Sequence, residues 1–188
     1  MRHSISVQEG DNDTRTLTHD GSELCSRVRG FYLGLLSELA IRFGEPEFWT
    51  SSFMRARLTA WEIFHPEQLH TSERLNIIAA MPDVHGGEWY AAGKAAGKTD
   101  QRLIRELIAD PALQRDQPFS ETMVRHHAFL REREARLTVA VGHEANISFA
   151  AAGIIPHEQL GLLECEAVVF YLNAAKQIIS AEKIAPRR

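Results

Sequence analysis

From Ser22 onward, apolar residues recur at three- and four-residue steps: Leu24, Val28, Phe31, Leu35, Leu36, Leu39 and Phe43, stopped by Gly44. That spacing predicts a helix over 22–43, because side chains three and four apart share one helical face. Glu45-Pro46 opens a second predicted helix through Phe53, Met54, Leu58, Trp61 and Phe64, closed at Pro66. Proline fits a first helical turn but not an interior position. A shorter third helix begins at Thr71 or Ser72 and carries Leu75, Ile77, Ile78 and Met81, and "MPDVHGG", residues 81–87, then reads as a loop. Residues 87–109 predict two short helices around Gly97–Thr99, the second with Leu103, Ile104, Leu107 and Ile108 inward. A linker with two prolines, "DPALQRDQP", follows.

Beyond it, Ser120 is a good N-cap, and neither Gly nor Pro interrupts the chain before Gly142, with Gly153 and Pro156 closing the segment. The pattern predicts one long helix bending at Gly142, with Met123, Leu130, Leu137 and Val141 inward and Glu132 and Arg136 paired at i,i+4 outside. Pro156 starts a last predicted helix running to near Lys183. Its segment "AVVFYL", residues 167–172, is apolar on every side, so it must be covered on more than one face. The cover is either the rest of the bundle or a second subunit, which makes Val168, Val169 and Leu172 candidate interface residues. No stretch alternates as a strand should, and no internal repeat is present. The predicted fold is therefore all-α, a bundle of about six to seven helices ending in a long antiparallel helical hairpin. Residues 1–21 are polar, with only scattered Ile5, Val7 and Leu17, and read as a mobile arm ahead of a single domain over 22–188.

Composition narrows the function classes. Hydrophobic residues make up 44% of the 188 and charged residues 24%, with a net charge of −4, so there is no global attraction to nucleic acid or anionic lipid. Cys25 and Cys165 form neither a CxxC pair nor a disulfide framework, which favours a reducing compartment. The amino-terminal stretch has no signal-peptide core, and no apolar run approaches the ~20 residues of a membrane span. The expected location is the cytoplasm.

Several motifs carry candidate chemistry. "AGKAAGKT", residues 92–99, fits the loose pattern of a phosphate-binding loop, but such a loop follows a buried strand and here "DVHGGEWYA" precedes it. A polar turn with Thr99 as N-cap is expected instead. In the same region Lys94, Lys98, Arg102 and Arg105 fall within a narrow helical arc, a basic stripe on a helix-turn-helix-like segment, 87–109, suited to a DNA-binding regulator. Glu62, His65, Glu67, His70, Asp83 and His85 group six oxygen and nitrogen donors, with Glu-x-x-His spacing twice. Pro66 breaks the symmetry of a di-iron site, leaving a mononuclear metal site of His65, His70, Asp83 or His85, and with it a metal-dependent enzyme, as an alternative. "HEAN" at 143 and "HEQL" at 157 lack the second histidine of a zinc helix. "MPDVHGG" resembles the Met-Pro-Asp-Val-His stretch of the tRNA-splicing RNA ligases; the resemblance is confined to these residues and identifies no family. There is no G-x-S-x-G elbow. With no complete catalytic constellation and no specific cofactor implied, the leading expectation is a non-enzymatic accessory or regulatory protein that binds a protein partner and forms a homo-oligomer.

Overall fold

A computed structural model of the protein describes residues 1–7, 11, 13–76, 86–114 and 119–187. It is not all-α. Among the described residues, six helices accompany two small sheets: α1 His19–Phe43, β1 Glu47–Thr50, α2 Met54–Phe64, β2 His70–Thr71, α3 Gly86–Ala95, α4 Asp100–Ala109, α5 Phe119–Arg131, β3 Thr138–Val141, α6 Glu144–Ala151, β4 Ala167–Leu172 and β5 Ile178–Ile184. Strands β2-β1-β3 form a parallel sheet in that order, with Trp49 opposite both His70 and Ala140, and β4 pairs antiparallel with β5.

The helices at the start of the chain follow the sequence pattern. Thr18 caps α1 by accepting from Gly21 N–H, Leu24, Val28 and Tyr32 face inward, and Gly44 at φ +88° ends the helix. His65, in the left-handed region at φ 43°, ends α2 just before Pro66. Thr99 caps α4 by accepting from Arg102 N–H, so "AGKT" is a turn between helices, as the absence of a preceding strand implied.

The corrections fall on the strands. Residues 47–50, expected inside a second helix, are β1, flanked on both edges by parallel neighbours. A four-residue strand covered on both sides shows no alternation, so helical periodicity absorbs it. The expected long helix after Ser120 divides into α5, β3 and α6, because the β-branched run "TVAV" pairs with β1. Glu132 accordingly lies past the end of α5 and pairs with Arg74 at 2.5 Å rather than with Arg136. The expected last helix is a hairpin, β4–β5, turned at Asn173, whose Oδ1 accepts from Gln177 N–H at 3.0 Å. "AVVFYL" is apolar all round because it is a strand with two faces to cover. The third predicted helix is β2 followed by a short 3-10 turn, Glu73–Leu75; the rest of it, and most of "MPDVHGG", lies outside the described residues.

The expected mobile arm also needs correction. Arg2, Ser4 and Ser6 are buried, and Arg2 bridges Gly142 in parallel, which sets residues 1–3 beside β3. Ser4 N–H donates to Thr59 Oγ1 at 2.9 Å and Ser4 Oγ to Gly21 O at 2.8 Å. These long-range bonds offset the ordering entropy that a polar segment cannot offset with its own apolar surface. Among the described residues, no helix is long and apolar enough to cross a membrane.

Candidate active site

The carboxyl ends of parallel strands are where ligand crevices form in α/β folds, and here they bring together residues far apart in sequence. β1 leads into Ser51, β3 into His143, the first turn of α2 supplies Arg55, and the amino-terminal segment beside β3 supplies His3. The rings of His3 and His143 meet edge to face with centroids 5.0 Å apart. Arg55, 4% exposed, lies against both: its Nε donates to His3 Nε2 at 3.1 Å and its Nη2 sits 3.4 Å from His143 Nδ1. Phe53 holds this arrangement from one side, 5.0 Å from the Arg55 guanidinium and 5.0 Å from the His143 ring.

The partners fix both tautomers. His3 Nδ1 is 2.6 Å from Ser4 O, a carbonyl that only accepts, so Nδ1 carries the proton and Nε2 a lone pair. His143 Nδ1 faces the Arg55 donor, so its proton is on Nε2 and goes to Ser51 Oγ at 3.0 Å. Ser51 Oγ also accepts from Phe53 N–H at 3.3 Å. Burial, reinforced by the Arg55 charge, lowers the His3 pKa to about 3 and holds His143 well below the ordinary histidine value. Both rings are neutral at pH 7. Burial and the nearby Arg15 lower Arg55 to about 10, partly countered by Asp13, so its guanidinium stays charged. The result is an enclosed cation hydrogen-bonded to the unprotonated nitrogen of an imidazole, a setting that favours an anionic electrophile once the anion takes up the Arg55 donor.

A second charged group lies next to it. Arg2 forms a 2.6 Å ion pair with buried Glu144, meets Glu164 at 3.0 Å, and donates to Leu162 O. Burial raises the Glu144 pKa to about 7, against the downward pull of Arg2. Desolvation outweighs the ion pair because both partners are almost fully removed from water.

None of the described residues singled out from sequence belongs to this constellation. Lys94 pairs with Asp100 at 2.7 Å, Lys98 with Glu106 at 2.7 Å and Arg102 with Glu106 at 2.9 Å, while Arg105 donates to the carbonyls of Gln101 and Glu158. Each charge of the basic stripe therefore has an acceptor within the fold. His65 ends α2 and accepts from Arg29 at 2.8 Å, whereas His70 is in β2, stacked on Trp49 at 4.8 Å. Asp83 and His85 lie outside the described residues. Among the described residues, no three His, Cys, Asp or Glu side chains are grouped to hold a metal ion. Val168, Val169 and Leu172 are on β4, opposite Lys183, Glu182 and Ile178 of β5. Cys25 and Cys165 are free and buried.

Sequence reasoning passed over His3 because it lies in a polar stretch, and set His143 aside because "HEAN", inside an expected helix, lacks the second histidine of a zinc site. The available signal was local: "TVAVGH" is a β-branched run ending in Gly-His, the form of a strand that delivers a histidine at its carboxyl end.

No protein-family model and no curated protein matches this sequence. Solved structures do match its fold. Phosphoserine phosphatase from Entamoeba histolytica, in complex with 3-phosphoglyceric acid, has a TM-score of 0.60 at 16% identity, over 96% of this chain and 93% of that one. The protein histidine phosphatase SixA, complexed with tungstate, has a TM-score of 0.55 at 15% identity, over 98% and 92%. Phosphoglycerate mutase from Bacillus anthracis gives 0.50 at 19% identity, over 81% and 77%. The expectation of a non-enzymatic regulatory protein rested on a long helical hairpin with an apolar last helix and on the lack of a catalytic constellation; it is overturned, since strands replace that hairpin and the matching fold is the α/β fold of phosphatases and a mutase. The shared architecture is that of the histidine phosphatases and phosphoglycerate mutases.

Proposed function

We propose that the chain is a phosphohydrolase that takes a phosphoryl group from a phosphomonoester onto His3. The observation that carries this reading is the His3 ring: Nδ1 is committed to Ser4 O, and the Nε2 lone pair faces the Arg55 cation beside His143. In the first step Nε2 bonds to phosphorus, the phosphorus–oxygen ester bond breaks, and the alcohol leaves with a proton from solvent. In the second, water attacks the phosphohistidine, the phosphorus–nitrogen bond breaks, and inorganic phosphate departs. The Arg55 guanidinium, turned from His3 Nε2 to the substrate, neutralises charge on the non-bridging oxygens in both steps, and the His143 ring, held by Ser51, lies beside it. That the matching solved structures are phosphatases and a mutase, one holding tungstate and one 3-phosphoglyceric acid, favours this over other uses of a neutral histidine. The two free cysteines agree with action in the cytoplasm.

The test is hydrolysis of para-nitrophenyl phosphate by the wild type and by His3→Gln, with acid-quenched digests searched for a phosphohistidine. Wild-type turnover, loss of about a thousandfold or more in the variant, and phosphate mapped to His3 are expected. Undiminished turnover in His3→Gln, or phosphate mapped to another residue, overturns the assignment.

A further inference from the structure

Cys25 and Cys165 are the two cysteines of the chain, and the fold brings their side chains into hydrogen-bond contact. Both are fully buried in one apolar cluster with Val28 and Tyr32 of α1 and Val141 of β3. Cys25 comes from the inward face of α1, and Cys165 from the chain ahead of β4, where its backbone is left-handed at φ 60°. That region favours glycine, so a residue with a side chain persists there only where its surroundings fix it. Here Cys165 N–H donates to Arg2 O at 3.2 Å, and Cys165 O accepts from Tyr32 Oη. These backbone bonds hold the Cys165 thiol against Cys25.

The pair touches the supports of the candidate active site. The hydroxyls of Ser4 and Thr59 lie within hydrogen-bond reach of the Cys25 sulfur. Ser4 O accepts from His3 Nδ1, Ser4 N–H donates to Thr59 Oγ1, and Thr59 Oγ1 donates to Arg55 O at 2.8 Å, one turn earlier in α2. Arg2, whose carbonyl accepts from Cys165, is the residue before His3. A displacement of either sulfur is therefore passed to the backbone that carries His3 and Arg55. The hydrogen bond from Cys165 lowers the Cys25 pKa, against the opposing effect of burial, and so favours the thiolate, the form that reacts with oxidants.

We propose that Cys25 and Cys165 are a modification site, at which hydrogen peroxide forms an intrachain disulfide that lowers activity at His3 and that a dithiol reverses. The Cys25 thiolate attacks one peroxide oxygen, the oxygen–oxygen bond breaks, and hydroxide leaves as water with the proton that Cys25 released, so that Cys25 becomes a sulfenic acid. The Cys165 sulfur then attacks the Cys25 sulfur, the sulfur–oxygen bond breaks, and a second water carries off the hydroxyl with the Cys165 proton. Two electrons pass from the sulfur pair to the peroxide. A dithiol restores both thiols by exchange and is itself oxidised to a disulfide. Peroxide is scarcely larger than water, so local openings of the core admit it to the pair. The new bond draws the sulfurs from hydrogen-bond contact to about 2 Å, which shifts Ser4 and Arg2 on either side of His3. A misplacement of about 1 Å at a reacting group costs about a hundredfold in rate. A transient bond of this kind is the form that disulfides take in a reducing compartment. The disulfide stands apart from the phosphohydrolase reading; its effect on activity rests on that reading.

The test treats the native, reduced chain with hydrogen peroxide, alkylates the remaining thiols in urea, and reads intact mass, digest and turnover of para-nitrophenyl phosphate. Expected are a monomer without alkyl groups, a cross-linked peptide pair containing Cys25 and Cys165, and turnover at least about tenfold lower, all reversed by dithiothreitol. Alkylation of both thiols, a disulfide between two chains, or oxidation to sulfinic acid without a cross-link overturns the proposal. Cys25→Ala and Cys165→Ala are each expected to keep under peroxide the turnover they show without it, which separates the disulfide from oxidation of methionine, and either variant suffices if the other does not fold. Equal loss in these variants, or a disulfide that leaves wild-type turnover unchanged, overturns the effect on activity. Absence of turnover in the reduced chain is instead the failure of the phosphohydrolase reading, and the effect on activity falls with it while the mass still decides the disulfide.

Discussion

The destabilisation caused by His3→Gln is expected to depend on pH, and its size follows from the site geometry. His3 is held neutral in the folded protein with its pKa lowered to about 3, against an ordinary value of 6.5. A histidine with a depressed folded pKa contributes stability that is present above the unfolded pKa and lost as pH falls from there toward the folded value. Below pH 6.5 the unfolded chain holds a proton on His3 that the folded chain does not, at about 1.4 kcal/mol per pH unit. Between pH 7.5 and 5.5 the wild type therefore loses about 1.4 kcal/mol through His3 alone. Glutamine cannot titrate, so the variant escapes this loss. The difference between wild type and variant reports His3 together with its effect on the neighbouring His143, because His126, Glu144 and the amino terminus titrate in both proteins. Urea unfolding followed by the fluorescence of the three tryptophans gives the two stabilities at each pH. The penalty of His3→Gln at pH 5.5 is expected to be smaller than at pH 7.5 by about 1.4 kcal/mol. A penalty that is constant, or larger at pH 5.5, means that His3 carries a proton in the folded state. That result would refute both the enclosed neutral ring and its use as a nucleophile.

Three further outcomes test the surrounding structure. Arg55→Met removes the cation beside both rings while keeping apolar volume near Phe53, and is expected to lower phosphatase kcat by about a hundredfold or more, read with para-nitrophenyl phosphate. Gly21→Ala puts a Cβ 2.2 Å from Ile5 O, a backbone atom, and is expected to cost about 1–3 kcal/mol in urea unfolding and to lower activity by displacing the segment that carries His3 and Ser4; unchanged stability would contradict the packing of that segment. Glu144 has a folded pKa raised to about 7, so its stabilising contribution is complete below about pH 4.5 and lost as pH rises through 7. Glu144→Gln is accordingly expected to gain about 2.5 kcal/mol relative to wild type between pH 5 and pH 8, and no relative gain would place the Glu144 pKa near its ordinary value.

By itself the sequence determined the elements whose stabilising contacts are local. α1 is legible because its inward residues repeat at helical spacing and Gly44 offers the left-handed conformation that ends it. The end of α2 at Pro66 and the Thr99 cap of α4 are equally local, since each depends on the chemistry of one or two residues. The turn around Lys98 was legible for the same reason, as the segment leading into it, α3, is helical. What only the tertiary structure decided are the strands and the site. β1 and β3 have four residues each, too few to show a period, and they are strands because each is the other's partner across some ninety positions of sequence. "AVVFYL" satisfies a buried helix and a covered strand alike, and pairing with 178–184 selects the strand. His3, Ser51, Arg55 and His143 have no fixed spacing to recognise, because they meet at the ends of strands that the chain assembles out of sequence order. Their neutrality and charge come from burial and from one another, properties that no residue carries before the fold encloses it.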